Sequence, residues 1–105
     1  MAWILLLAAG LLEIVWATAM KLSDGFTRPL AASVTIATMI ASFALLATAM
    51  RHLPLGTAYM IWTGIGAIGA FLVGILWLGE SVSLGRLVAA ALIVAGIALM
   101  KAAPA

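Results

Sequence analysis

The sequence predicts an all-α membrane protein with four transmembrane helices. Three observations carry that reading. First, 68% of the 105 residues are apolar and only 8% are charged, against about 25% charged in soluble domains. A small soluble domain needs more polar surface than core, and five basic and three acidic residues cannot supply it. Second, those few charges divide the chain into long uncharged runs. Third, the runs are apolar on every side, whereas membrane strands alternate apolar and polar over about 10 residues.

A helix needs about 20 apolar residues to cross the hydrocarbon core. From Met1 to Met20 the only charge is Glu13. Pro29 to Met50 and Leu53 to Gly79 carry none. Leu87 to Met100 is again uncharged, between Arg86 and Lys101. The expected helices span 2–20, 30–50, 57–78 and 84–102, in one transmembrane unit over 1–105. The fourth run is short, and it spans if Arg86 and Lys101 snorkel to the interfaces. Ser23-Asp24-Gly25 is a turn signal, and Pro29 suits the first turn of a helix. Leu53-Pro54-Leu55-Gly56 breaks the chain before the third helix. Ala17-Thr18-Ala19 resembles a leader cleavage site. Residues 1–16 have no Lys or Arg, however, and Glu13 interrupts the apolar stretch, so a removed leader is not expected.

The net charge of +2 comes from scattered bases, Lys21, Arg28, Arg51, Arg86 and Lys101. No basic stripe is present, which excludes a nucleic-acid partner. Without cysteine there is no thiolate chemistry. One histidine and three separated carboxylates do not make a metal site. No nucleophile–base pair or phosphate-cradling loop appears, so neither an enzyme nor a cofactor is expected. With four spans, Arg51 and Lys101 share one side, and Lys21, Arg28 and Arg86 the other. Orientation follows this bias, and here it is nearly balanced. Two outcomes stand: one fixed orientation, or insertion both ways up with an antiparallel dimer. The dimer would carry the symmetry of inverted-repeat transporters.

Glu13 is the decisive residue. A charge at mid-span costs about 2.5–3.5 kcal/mol on insertion scales, so such residues mark a functional site by default. On its helix Gly10, Glu13, Trp16, Ala17 and Met20 share a face. Gly10 is expected to leave space beside the carboxylate, and Trp16 brings an N–H that can only donate. In the second span Thr35, Thr38, Ser42 and Ala49 share a face. Ser42 bonds either across the bundle or to its own helix backbone. In the third span Tyr59, Trp62, Gly66 and Gly69 share a face. Tyr59 and Trp62 suit a cation site, or else an interfacial aromatic belt. The glycines from Gly64 to Gly66 serve close packing or a kink for switching. In the fourth span Ala89, Leu92 and Gly96 form a seam suited to assembly. Trp3 and Trp77 are expected as interface anchors, His52 as solvated, and Asp24 and Glu80 as turn or loop residues.

One acid in four helices does not enclose a path. Two chains would place two Glu13 carboxylates in one cavity. Desolvation and a nearby like charge both favour the protonated form of a carboxyl, and such a pair titrates as a unit. Cation and protons would then compete for it, coupling cation export to proton entry.

The pattern resembles the small multidrug resistance family, and within it the guanidinium-exporter subtype. The residues that carry the resemblance are Gly10-x-x-Glu13-x-x-Trp16, Lys21 with Gly25-Phe26-Thr27-Arg28, Leu53-Pro54-x-Gly56-Thr57-Ala58-Tyr59, Trp62-Thr63-Gly64-Ile65-Gly66-Ala67, Ala95-Gly96 and Lys101. The resemblance implies a dual-topology antiparallel homodimer in the bacterial cell (inner) membrane, exchanging guanidinium for protons at Glu13. It implies that Trp16, Ser42 and Trp62 orient the carboxylates, that Tyr59 lines the pocket and that Gly64–Gly66 flexes. The fourth-helix seam departs from the family in having Ala89 where glycine is common. Two other readings remain. One is an exporter of quaternary ammonium compounds, and the other is a non-transporting helical membrane subunit.

Overall fold

The computed structural model describes residues 1–103. They form four helices, α1 (Ala2–Leu22), α2 (Pro29–Ala49), α3 (Leu55–Leu76) and α4 (Leu84–Ala102). All four are long and apolar enough to cross a membrane. A 21-residue helix is about 31 Å long at 1.5 Å per residue, which matches the hydrocarbon thickness.

The ends differ from the expected ones for local reasons. α1 runs on through Lys21 and Leu22, because the buried Ser23 closes it. The Ser23 hydroxyl donates to the Met20 carbonyl (2.6 Å) and accepts from the Phe26 N–H (3.0 Å). The chain then turns through three residues of positive φ, Asp24, Gly25 and Phe26. Pro29 is the first residue of α2, where its missing N–H is no loss. α3 starts directly after Pro54 and stops at Leu76, two residues before the expected end. Gly79 takes up φ +71 there, a conformation open to glycine without strain. That reversal lets the Glu80 N–H donate to the Gly74 carbonyl (2.9 Å). Ser83 caps α4, its hydroxyl accepting from the Arg86 N–H (3.2 Å).

α1 is the hub. It packs most extensively on α2 and then on α3, while the backbone of α4 approaches only α3. The buried core is Leu6, Ala9, Leu46, Ala49, Ala58, Ile61 and Trp62. These residues come from the first half of α1, the last part of α2 and the first half of α3. Packing is therefore concentrated at one end of the bundle. Toward the other end, a cavity of about 330 Å³ opens beside Ile14, Thr18, Val73 and Trp77. No residue of α4 is buried. Its last turn is tied to α1 by Lys101, whose ammonium lies 5.5 Å from the Trp3 ring centroid. Trp3 thus packs on the core besides serving as an end residue, whereas Trp77 is largely exposed. His52 is exposed in its loop.

Candidate functional site

Glu13 lies halfway along α1 and is partly buried, with its side chain directed at α3. It rests on Gly66: a Cβ there would overlap Oε1, Cδ and Cγ of Glu13. Oε1 is buried and has no hydrogen-bond partner among the described residues, and the same is true of the Trp16 indole N–H. Unpaired buried polar groups are rare, and each one calls for an explanation.

The glycine that makes room for the acid is therefore Gly66. Gly10 was the expected one, but a Cβ at Gly10 would meet Ile65 at 2.6 Å. Gly10 thus sets the approach of α3 to α1, and Gly66 one residue further on receives the carboxylate. Both glycines are buried, and α3 runs through this region as an unbroken helix. Gly64 is also buried, but it faces α4, where a Cβ would meet Ile97 at 2.6 Å.

Ser42 is fully buried and bonds across the bundle. Its hydroxyl donates to the Ala9 carbonyl of α1 (2.7 Å) and accepts from the Trp62 Nε1–H of α3 (3.1 Å). One hydroxyl thus ties three helices together. Within the chain this network holds the Trp62 indole in place and does not reach Glu13. Thr38 is half-buried, and its hydroxyl donates to the Val34 carbonyl of its own helix (2.6 Å).

Four aromatic rings form a continuous wall. The Trp16 and Phe43 centroids are 6.2 Å apart, Phe43 and Trp62 5.7 Å, and Trp62 and Tyr59 5.4 Å. All three contacts are edge-to-face or tilted, the arrangement favoured by ring quadrupoles. Tyr59 and Trp62 are thereby joined to Trp16, and Tyr59 at the end of the wall is 52% exposed. Phe43 was not singled out in the sequence, yet it links the two tryptophans. Its signal was faint: an aromatic residue one place after Ser42 in a span where every residue is a candidate for packing. The remaining assembly residues, Ala89, Leu92 and Gly96, are exposed on α4. Nothing in the chain lies within 4 Å of a Cβ built on Gly96.

Four membrane-spanning helices joined by short turns, around one acid with an unpaired oxygen and a wall of aromatic rings, define a membrane transport protein of minimal size. The chain belongs to the Small Multidrug Resistance protein family, whose model matches residues 1–93. A Citrobacter freundii protein described as a guanidinium exporter is 59% identical over 101 residues, 96% of each chain. A Salmonella typhi guanidinium exporter is 57% identical over the same length. A guanidinium exporter of Yersinia pseudotuberculosis is 53% identical over 103 residues, 98% of this chain and 99% of the relative.

Proposed function

We infer that the protein exports guanidinium in exchange for protons, as an antiparallel homodimer. The observation that carries this reading is the Glu13 carboxylate, seated on Gly66 in mid-span with an unpaired buried oxygen. The names of the relatives point to the same cation.

Guanidinium is planar, stays charged and presents N–H groups in a fork that matches a carboxylate. Glu13 accepts from that fork when it is ionised and cannot do so when protonated. The aromatic wall supplies π-faces for the cation. The Trp16 indole N–H, unpaired within one chain, is available to donate to a carboxylate oxygen in the dimer, and the Ser42–Trp62 pair fixes the ring against which the cation lies. A second chain brings the second carboxylate. The open face at Gly96 and the near-balance of Lys and Arg between the two sides both favour an oppositely oriented copy. Gly64 and Gly66, where α3 meets α4 and Glu13, are the points at which α3 flexes as the dimer switches.

Guanidinium-evoked current across protein-loaded solid-supported membranes tests this. Wild-type protein gives current and Glu13→Gln gives none. Undiminished transport by Glu13→Gln would refute the reading. The aromatic wall also favours a second substrate class, quaternary ammonium cations, which bind π-faces without N–H donors. Competition of guanidinium against a tetraalkylammonium separates the two. Guanidinium is expected to win, because its N–H groups pair with the carboxylate.

A further inference from the structure

The α1–α3 crevice holds a second carboxylate. After α3 ends, Gly79 reverses the chain and Glu80 folds back over the helix. Its side chain lies on Gly74, where a Cβ would meet Oε1 at 2.6 Å and Cδ at 2.8 Å. This repeats what Gly66 does for Glu13. Gly66 and Gly74 are eight residues apart, so the two seats lie about 12 Å from each other along α3. Thr18, Lys21, Ala70, Val73 and Glu80 line a cavity of about 150 Å³ between the helices. It lies toward the loosely packed end of the bundle, away from the Leu6–Trp62 core.

We propose that Glu80, seated on Gly74 and facing Lys21 across this cavity, is an outer binding station for the transported cation on its way between water and Glu13. The inference rests on the transport reading above. An ion entering at this end meets a carboxylate before it leaves water behind. A fixed opposite charge at the mouth of a low-dielectric crevice raises the local cation concentration. Lys21 is the resident counter-charge. Its ammonium, on a flexible stem, lines the same cavity and can turn out to water, which leaves the carboxylate to an arriving ion. The small residues Ala17 and Ala70 belong to the cavity wall, and Ile14, whose side chain fills the space over Gly69 between the two seats, has to swing aside to pass an ion. Gly74 keeps the outer carboxylate against the helix instead of free in water.

The test measures guanidinium-evoked current against guanidinium concentration, at low and high salt, for Glu80→Gln and Gly74→Ala. Gln keeps the backbone bond to the Gly74 carbonyl. Ala keeps the charge but removes its seat, since the nearest atoms to that Cβ all belong to Glu80. Both variants are expected to raise the half-saturating concentration about three- to tenfold at low salt, and less than about twofold at high salt, as screening predicts. The maximal current falls by less than the half-saturation rises. A merely structural role would lower the maximum and leave half-saturation in place. An unshifted Glu80→Gln beside an active wild type overturns this inference alone, and so does a shift that ignores salt. A Gly74→Ala protein that behaves as wild type overturns the seated station. Absence of wild-type guanidinium current overturns the transport reading and this station with it.

Discussion

The Glu13 carboxylate occupies the volume that a side chain at Gly66 would need. Acid and glycine therefore form one unit contributed by two helices. Replacing Gly66 with Ala adds a methyl where Oε1 now sits and improves intrinsic helix propensity by about 1 kcal/mol. The protein should still form its helices, while the carboxylate is pushed off its position. Guanidinium-evoked current should fall on the order of 10–100-fold, the usual penalty of displacing a reacting group by about 1 Å. Circular dichroism of the same sample should be unchanged. Wild-type current from Gly66→Ala would show that the seat does not matter.

If proton and guanidinium seek the same oxygens, as proposed, acid should weaken cation binding. Lowering pH protonates the carboxylates, which removes the negative charge and turns one of the two accepting oxygens into a donor. Across the range where they titrate, apparent affinity should drop about tenfold per pH unit for each proton displaced. It should level off at higher pH, once both carboxylates are ionised. By reciprocity, guanidinium binding must release protons. Isothermal titration at several pH values in two buffers of different ionisation enthalpy measures both. Equal affinity at every pH would contradict competition.

The hydroxyl of Ser42 joins α1, α2 and α3 through Ala9 and Trp62. Ser42→Ala leaves the buried Trp62 indole N–H unpaired and takes from the Ala9 carbonyl its second bond, beside the helical one. The expected loss is about 1–2 kcal/mol, since bonds inside membrane bundles lie at the low end of the general range. Denaturation in mixed detergent micelles measures it. Because the two side chains share one bond, Ser42→Ala with Trp62→Phe should cost less than the sum of the single changes.

Gly96 faces open space in the single chain. Gly96→Leu should therefore leave the fold of one chain intact and block the approach of a second. On the proposed dimer, mass measurement of the detergent-solubilised protein should give a dimer for the wild type and a monomer for Gly96→Leu, with transport lost in the variant. A dimeric Gly96→Leu protein would move the interface elsewhere.

The fold was legible because lipid imposes a simple demand: each crossing needs a charge-free run of sufficient length, and four such runs gave four helices. Their ends were less legible. Ser23 prolongs α1, while Pro54 and Gly79 shift α3 toward the N-terminus, and hydropathy does not register capping. Glu13 stood out as the sole charge in its span. Its seat did not, because helical periodicity shows which residues share a face but not which neighbour that face meets. In a water-soluble helix the apolar stripe identifies the inward side. Here every side is apolar, so Gly10 and Gly66 could not be assigned to Ile65 and Glu13 in advance. Glu80 was read as a loop residue for the same reason. Only the reversal at Gly79 turns it back over Gly74.

α4 has no buried residue; its backbone approaches only α3, and Lys101 reaches from its last turn to the Trp3 ring of α1. Lipid tails are as apolar as leucine, so greasiness gives this helix no reason to leave the bilayer for a protein neighbour. What fixes it is close fit, and in the proposed dimer a second chain would supply the half that one chain lacks. Dilution in excess lipid should therefore loosen this segment sooner than heat does. On the proposed dimer, a cell that makes the protein in small amounts would hold its fourth span as a dangling arm until a second copy arrives.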